Sequence, residues 1–197
     1  MIVAGLLSSL RRFAVPGSTD PQDARRGRVV AVIECILNQN ARDRGAARFP
    51  ALNEAVLRLC ADHQAGIVQI PCPEMQCLGF QRRRPPGASI RQALDAPAGR
   101  ECCRQLGQRI ADRLLEYTDN GVRVLAVLGG NAQSPGCAVI AEATGLSAAS
   151  GVLMRELERA LRERNLAIPF RGIRDAEPDR LSEDLQWLKD RLEGSPC

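Results

Sequence analysis

The sequence predicts a Rossmann-like, doubly wound α/β fold, with a mostly parallel four-stranded sheet flanked by helices. Three observations predict it. Four runs have the length and the apolar, β-branched content of strands. Three of the four are nearly continuous in apolar residues, as strands covered on both faces of a parallel sheet are. Helical patterns separate the runs, so strand and helix alternate along the chain. There is no internal repeat, and 197 residues suffice for one domain with a full core.

Residues 1–26 carry a short apolar run, MIVAGLLSSL, then arginines, then PGSTDPQDARR. That order is wrong for a secretory signal, and the run is far short of the roughly 20 residues of a membrane span. These residues read as a poorly ordered extension to a single domain over 27–197, in a chain expected in the cytoplasm. The first strand is expected at 28–35 (RVVAVIEC). A helix at 51–63 opens after Pro50 and closes near Gly66, where the second strand begins (GIVQIPC, 66–72). A long helix over 100–121 stops at Asn120-Gly121, and the third strand follows at 122–130 (VRVLAVLGG). The helix at 151–165 sets Val152, Leu153, Leu157, Ala160 and Leu161 on one stripe. The fourth strand is expected at 166–173 (LAIPFRGI), and a last helix runs from Pro178 to Gly194.

Composition excludes some partners. The net charge is only +4, and a single lysine stands among 27 basic residues, an arginine bias that points to no partner. One Trp, one Tyr and four Phe supply no stacking platform for single-stranded nucleic acid.

Eight cysteines in a cytoplasmic chain argue against a disulfide framework. Some are then expected in metal binding or catalysis, the rest as small buried residues. Cys60, Cys102 and Cys103 lie in helical stretches and read as core; Cys197 is terminal. Cys35 and Cys72 end predicted strands, and Cys137 follows the third strand by seven residues. Ligands of parallel sheets bind outside the carboxyl ends of the strands. Topology therefore gathers these three thiols into one crevice, although 37 and 65 residues separate them. Pro71 and Pro73 stiffen the backbone on either side of Cys72 and aim it. Three thiols without a nearby histidine point to a soft metal centre, either zinc or an iron–sulfur cluster. The one histidine, His63, belongs to the far end of the sheet. Three protein ligands leave a coordination position open, which marks a catalytic metal and not a structural one.

Cys35 in IECILN, Cys72 in CPE and Cys137 in SPGC, in this order and spacing, resemble the signature segments of the 2-thiouracil desulfurase family and its related desulfidase branch. The likeness spans residues 28–140, and GVLMRELERALRERNLAIPF downstream is similar in kind. The resemblance implies a [4Fe–4S] cluster held by Cys35, Cys72 and Cys137. Its remaining iron would take the sulfur of a thiocarbonyl small molecule such as a thiolated nucleobase. The same resemblance implies Glu74 as the acid–base group and Ser134 as a second catalytic residue. The chain departs from the family after CPE, where MQCLGFQRRR supplies Cys77 and an arginine run. It departs again in the first loop, ILNQNARDRG, and at Gly129, Gly130 and Asn131, which replace a common lysine.

Asn38, Gln39, Asn131 and Gln133 share these loops and are candidates to read a base edge; ordinary loop hydrogen bonding is the alternative. Arg82, Arg83 and Arg84 read as a solvated turn, or as contacts for an anionic group. Cys77 reads as a spare thiol, a sulfur acceptor or a packed residue. Two other functions stay open: a metal- or cluster-binding redox sensor without turnover, and a cluster hydro-lyase acting on a hydroxy compound. Glu74 and Ser134 favour an enzyme over a sensor, because a structural site needs neither.

Overall fold

A computed structural model describes residues 23–194. The extension expected over 1–26 falls largely outside the described residues, as does Cys197. The elements in chain order are β1 (Arg28–Ile33), α1 (Glu34–Leu37), a 3-10 turn (Gln39–Ala41), α2 (Glu54–Asp62), β2 (Gly66–Ile70), α3 (Pro73–Leu78), α4 (Ile90–Asp95) and α5 (Pro97–Asp119). There follow β3 (Arg123–Gly129), a hairpin of β4 (Ala141–Glu142) and β5 (Gly145–Leu146), α6 (Val152–Glu163), β6 (Phe170–Gly172) and α7 (Pro178–Glu193).

The sheet has four strands in the order β2-β1-β3-β6, all parallel. Residues Val29, Val30, Ala31, Val32 and Ile33 of β1 are buried, and so are Leu125 to Leu128 of β3, because both strands are central and covered on both faces. The chain moves from β1 to β2 in one direction, then returns past β1 to β3 and on to β6. With right-handed crossovers, that reversal puts helices on both faces. Accordingly α2 packs with α7, and α5 packs with α6. The α5–α6 contact is close because Gly107 has no side chain: a Cβ there would lie 3.1 Å from Leu157 N.

Local sequence accounts for the ends of the helices. Pro73, Pro97 and Pro178 each stand in the first turn of their helix, where the missing N–H costs nothing. Ser89 and Gln92 cap each other at the start of α4.

Three strand expectations change in detail. β1 stops at Ile33, and Cys35 sits in the one-turn helix α1 instead of the strand. β2 lies at the sheet edge, so Gly66, Ile67 and Gln69 are exposed although the run reads as buried. The fourth strand is only Phe170–Gly172; Pro169 has no N–H to donate, and its carbonyl accepts from Val127 N at 2.9 Å. Among the described residues no helix is long and apolar enough to cross a membrane.

Candidate functional site

The chain reverses direction on either side of β1, and its switch point lies between β1 and β3. That is where doubly wound folds open a crevice at the carboxyl ends of the strands. A cavity of about 320 Å³ lies there, lined by Cys35, Cys72 and Cys137 together with Glu74, Arg82 and Ser134. The three cysteines come from the segments that follow three different strands, and all are buried.

Each is held by its own local device. Cys72 is the extended residue before α3, and its N–H donates to Glu34 Oε2 at 2.7 Å, tying the turn after β2 to the turn after β1. Cys137 closes a compact loop in which Gly130 N donates to Cys137 O at 2.8 Å. Side chains would not fit beside it. A Cβ on Gly130 would lie 2.8 Å from Cys137 Sγ, and one on Gly151 would lie 2.3 Å from Cys137 N. Cys35 follows β1 directly, and Gln39 steadies its turn by donating to Cys35 O at 2.7 Å.

Burial pushes the Cys72 thiol up to about 11. Cys35 and Cys137 behave as a pair. The neighbouring Cys137 and the Arg42 charge hold the Cys35 thiol below its ordinary value against the effect of burial, while Cys35 and burial together push Cys137 up. Of the two, Cys35 is the more ready thiolate.

Among the described residues, no three His, Cys, Asp or Glu side chains meet the close geometry of a shell around one ion. The three thiols instead stand around the cavity. Its volume far exceeds the roughly 30 Å³ of one water. Three thiols around one cavity make a soft donor set, of the kind that iron and zinc take. His63 is elsewhere, bonded to Leu59 O at 2.9 Å and facing Glu193 at 3.4 Å.

Glu74 is buried on the cavity wall. Desolvation raises its pKa, and the hydrogen bond and charge of Arg82 oppose the rise. Arg82 Nε donates to Glu74 Oε2 at 3.3 Å and Nη1 to Phe80 O at 2.6 Å, while Nη2 donates to Ala41 O. Glu74 Oε1 has no hydrogen-bond partner among the described residues. Ser134 Oγ lies 2.9 Å from Cys137 Sγ, so its hydroxyl attends the sulfur.

The four amide candidates separate. Gln133 lines the cavity, is exposed, and its side chain is free among the described residues. Asn131 also lines it, but its amide donates to Asp175 Oδ1 at 2.8 Å and accepts from Ala176 N at 3.1 Å. Asn38 and Gln39 are not among the lining residues. Asn38 caps its own turn by accepting from Asn40 N, and Gln39 is buried, its Oε1 accepting from Arg48 N at 2.8 Å. Both do the work of loop backbone.

The arginine run also divides. Arg83 and Arg84 are exposed, as a solvated turn requires, whereas Arg82 is only 2% exposed and adopts a φ of +47°. A left-handed arginine is uncommon, and its ties to Glu74 and two carbonyls hold it there. A run of three arginines gives no sign of which one turns inward. Sequence reasoning also missed the buried pair Arg42–Asp175 at 2.5 Å, which joins the loops after β1 and β6 at the cavity. Glu34 was missed too, although a carboxylate directly before Cys35 was a signal available to read.

No protein-family model matches the chain, and no solved structure gives a significant match. The chain is similar to an uncharacterized protein of Methanocaldococcus jannaschii, at 27% identity over 141 residues, which cover 72% of this chain and 82% of the relative.

Proposed function

We propose that this protein binds a [4Fe–4S] cluster through Cys35, Cys72 and Cys137 and removes sulfur from a thiocarbonyl small molecule such as a thiolated nucleobase. One observation carries the reading: three cysteines from the segments after three strands line a single cavity with a buried carboxyl, Glu74. When bound by three thiolates, such a cluster supplies an iron without a cysteine ligand, a soft Lewis acid suited to a thiocarbonyl sulfur.

The chain's own residues supply the proton chemistry. Water attacks the thiocarbonyl carbon, a C–O bond forms, the C–S bond breaks, and the products are the carbonyl compound and hydrogen sulfide. Glu74 Oε1 takes one proton from the attacking water and passes it to the sulfur, then takes the remaining hydroxyl proton as the carbonyl forms and passes it to the departing HS⁻. Arg82 fixes the carboxyl by holding Oε2, which leaves Oε1 for the proton. Ser134 orients the Cys137 sulfur through its hydroxyl and has no direct part in the proton transfer. Gln133, free at the wall, reads the polar edge of the substrate.

Anaerobic reconstitution with iron and sulfide tests the cofactor: about four irons and four labile sulfides per chain are expected. Sulfide release from a panel of thiolated bases then tests the reaction. Stoichiometric zinc without labile sulfide overturns the cluster. A full cluster with no sulfide released from any base favours a sensor.

A further inference from the structure

A second group of three cysteines lies away from the cavity. Cys77, near the carboxyl end of α3, is bridged to Cys102 on α5, 25 residues away in the chain. The expectation of packed, unbridged thiols is corrected here: Cys102 leaves the helix face that Cys103 shares with the core and meets α3 instead. Cys77 and Cys102 are both half-buried, whereas Cys103 is fully buried with its Sγ 3.9 Å from Cys77 Sγ. The helix that the bridge anchors begins at Pro73, directly after Cys72, and carries Glu74 in its first turn. Beyond Cys77 it ends at Gly79, whose φ of +76° turns the chain toward Arg82.

We propose that Cys77 and Cys102 form a thiol–disulfide exchange site whose co-reactant is a small thiol, and that its redox state sets how firmly α3 holds the cavity wall. This proposal stands on the α3–α5 geometry and does not depend on the desulfurase reading. The thiolate of one small thiol attacks Cys102 Sγ, the Cys77–Cys102 bond breaks, and Cys77 leaves as a thiolate that takes a proton. A second small thiol attacks the mixed disulfide, freeing Cys102 as a thiol and yielding the disulfide of the small thiol. Two electrons thus pass to the protein, and the reverse sequence restores the bridge.

Cys103 is placed to compete for Cys77 but is chemically silent. Burial pushes its thiol up to about 12, which keeps it protonated at neutral pH and a poor nucleophile. The bridge therefore opens to outside thiols and does not shuffle inward. Reduction leaves α3 joined to α5 by packing alone.

Full-length protein is equilibrated across ratios of reduced to oxidised glutathione, quenched in acid, alkylated and digested. The expected result is one reversible cross-link between Cys77 and Cys102, with backbone fragmentation between Cys102 and Cys103 assigning the partner. On reduction, amide hydrogen exchange over residues 73–82 should speed up about tenfold, a local opening. Cys102→Ser should show the fast exchange at every ratio. A link to Cys103, no link under oxidation, or a link that glutathione cannot reduce overturns the exchange site. Exchange over 73–82 that is the same in both states overturns its effect on the cavity wall.

Discussion

Six cysteines of this chain fall into two groups of three, and chemistry of one kind sits in two different surroundings. Cys35, Cys72 and Cys137 come from three loops at the carboxyl edge of the sheet and line an open cavity. Cys77, Cys102 and Cys103 come from two helices packed side by side, and two of them are bridged. In the first group long-range topology sets the distances, and polar neighbours attend each sulfur or its backbone: Ser134, Arg42 and Glu34. In the second, helix packing does so, and the unbridged thiol is fully buried with no oxygen or nitrogen hydrogen-bond partner among the described residues. A cysteine's neighbours, more than its position in sequence, set the reactivity of its thiol.

The largest expected effect tests that division directly. Cys35→Ser, Cys72→Ser or Cys137→Ser should each lose nearly all bound iron and labile sulfide after anaerobic reconstitution. Cys60→Ser and Cys102→Ser should keep it. Retained iron in any of the first three, or lost iron in Cys102→Ser, erases the boundary between the groups.

The next effect concerns Glu74, the buried carboxyl on the wall of the cavity that the first group lines. Glu74→Gln should preserve the cluster spectrum and slow sulfide release at least about a hundredfold, the usual worth of a positioned acid–base group. An intact cluster with undiminished turnover would assign the proton transfer to another residue.

The two groups were not equally legible in the sequence. Cys35, Cys72 and Cys137 follow apolar runs whose strand identity is plain, and the rule that parallel strands present ligands at their carboxyl ends brings them together. The Cys77–Cys102 bridge obeys no such rule, because pairing among eight cysteines is not encoded by spacing. Burial of charge was equally hidden. Arg82 differs from Arg83 and Arg84 only in the neighbours that folding supplies, namely Glu74 and the carbonyls of Ala41 and Phe80. The β4–β5 hairpin has two-residue strands, too short for a period to show. The place of β2 at the edge is likewise a matter of strand order, which an apolar run does not record.

Stability sharpens the contrast from the other side. Cys102→Ser should destabilise the oxidised protein by about 2–4 kcal/mol, as loss of a bridge of this loop length does. The same change should cost little under reducing conditions, where the bridge is open in both proteins. Urea denaturation in the two redox conditions measures the difference. An equal loss in both conditions would mean that Cys102 acts through packing.

The smallest effect separates two roles for Ser134, the residue that stands between ligand and reaction. Its Oγ lies 2.9 Å from Cys137 Sγ, a contact that orients the sulfur and donates to it once that sulfur is a thiolate. Removing one such hydrogen bond is worth about 0.5–1.5 kcal/mol, a few-fold to tenfold in affinity. Ser134→Ala should therefore weaken iron retention against a chelator by that factor, while sulfide release per loaded protein changes less than threefold or so. Threonine keeps the hydroxyl, so Ser134→Thr should restore retention if the loop admits the methyl group beside Gly130. A fall in turnover as large as that of Glu74→Gln, with iron retention unchanged, would move Ser134 from the ligand's side to the substrate's. It would then share the proton path with Glu74 Oε1.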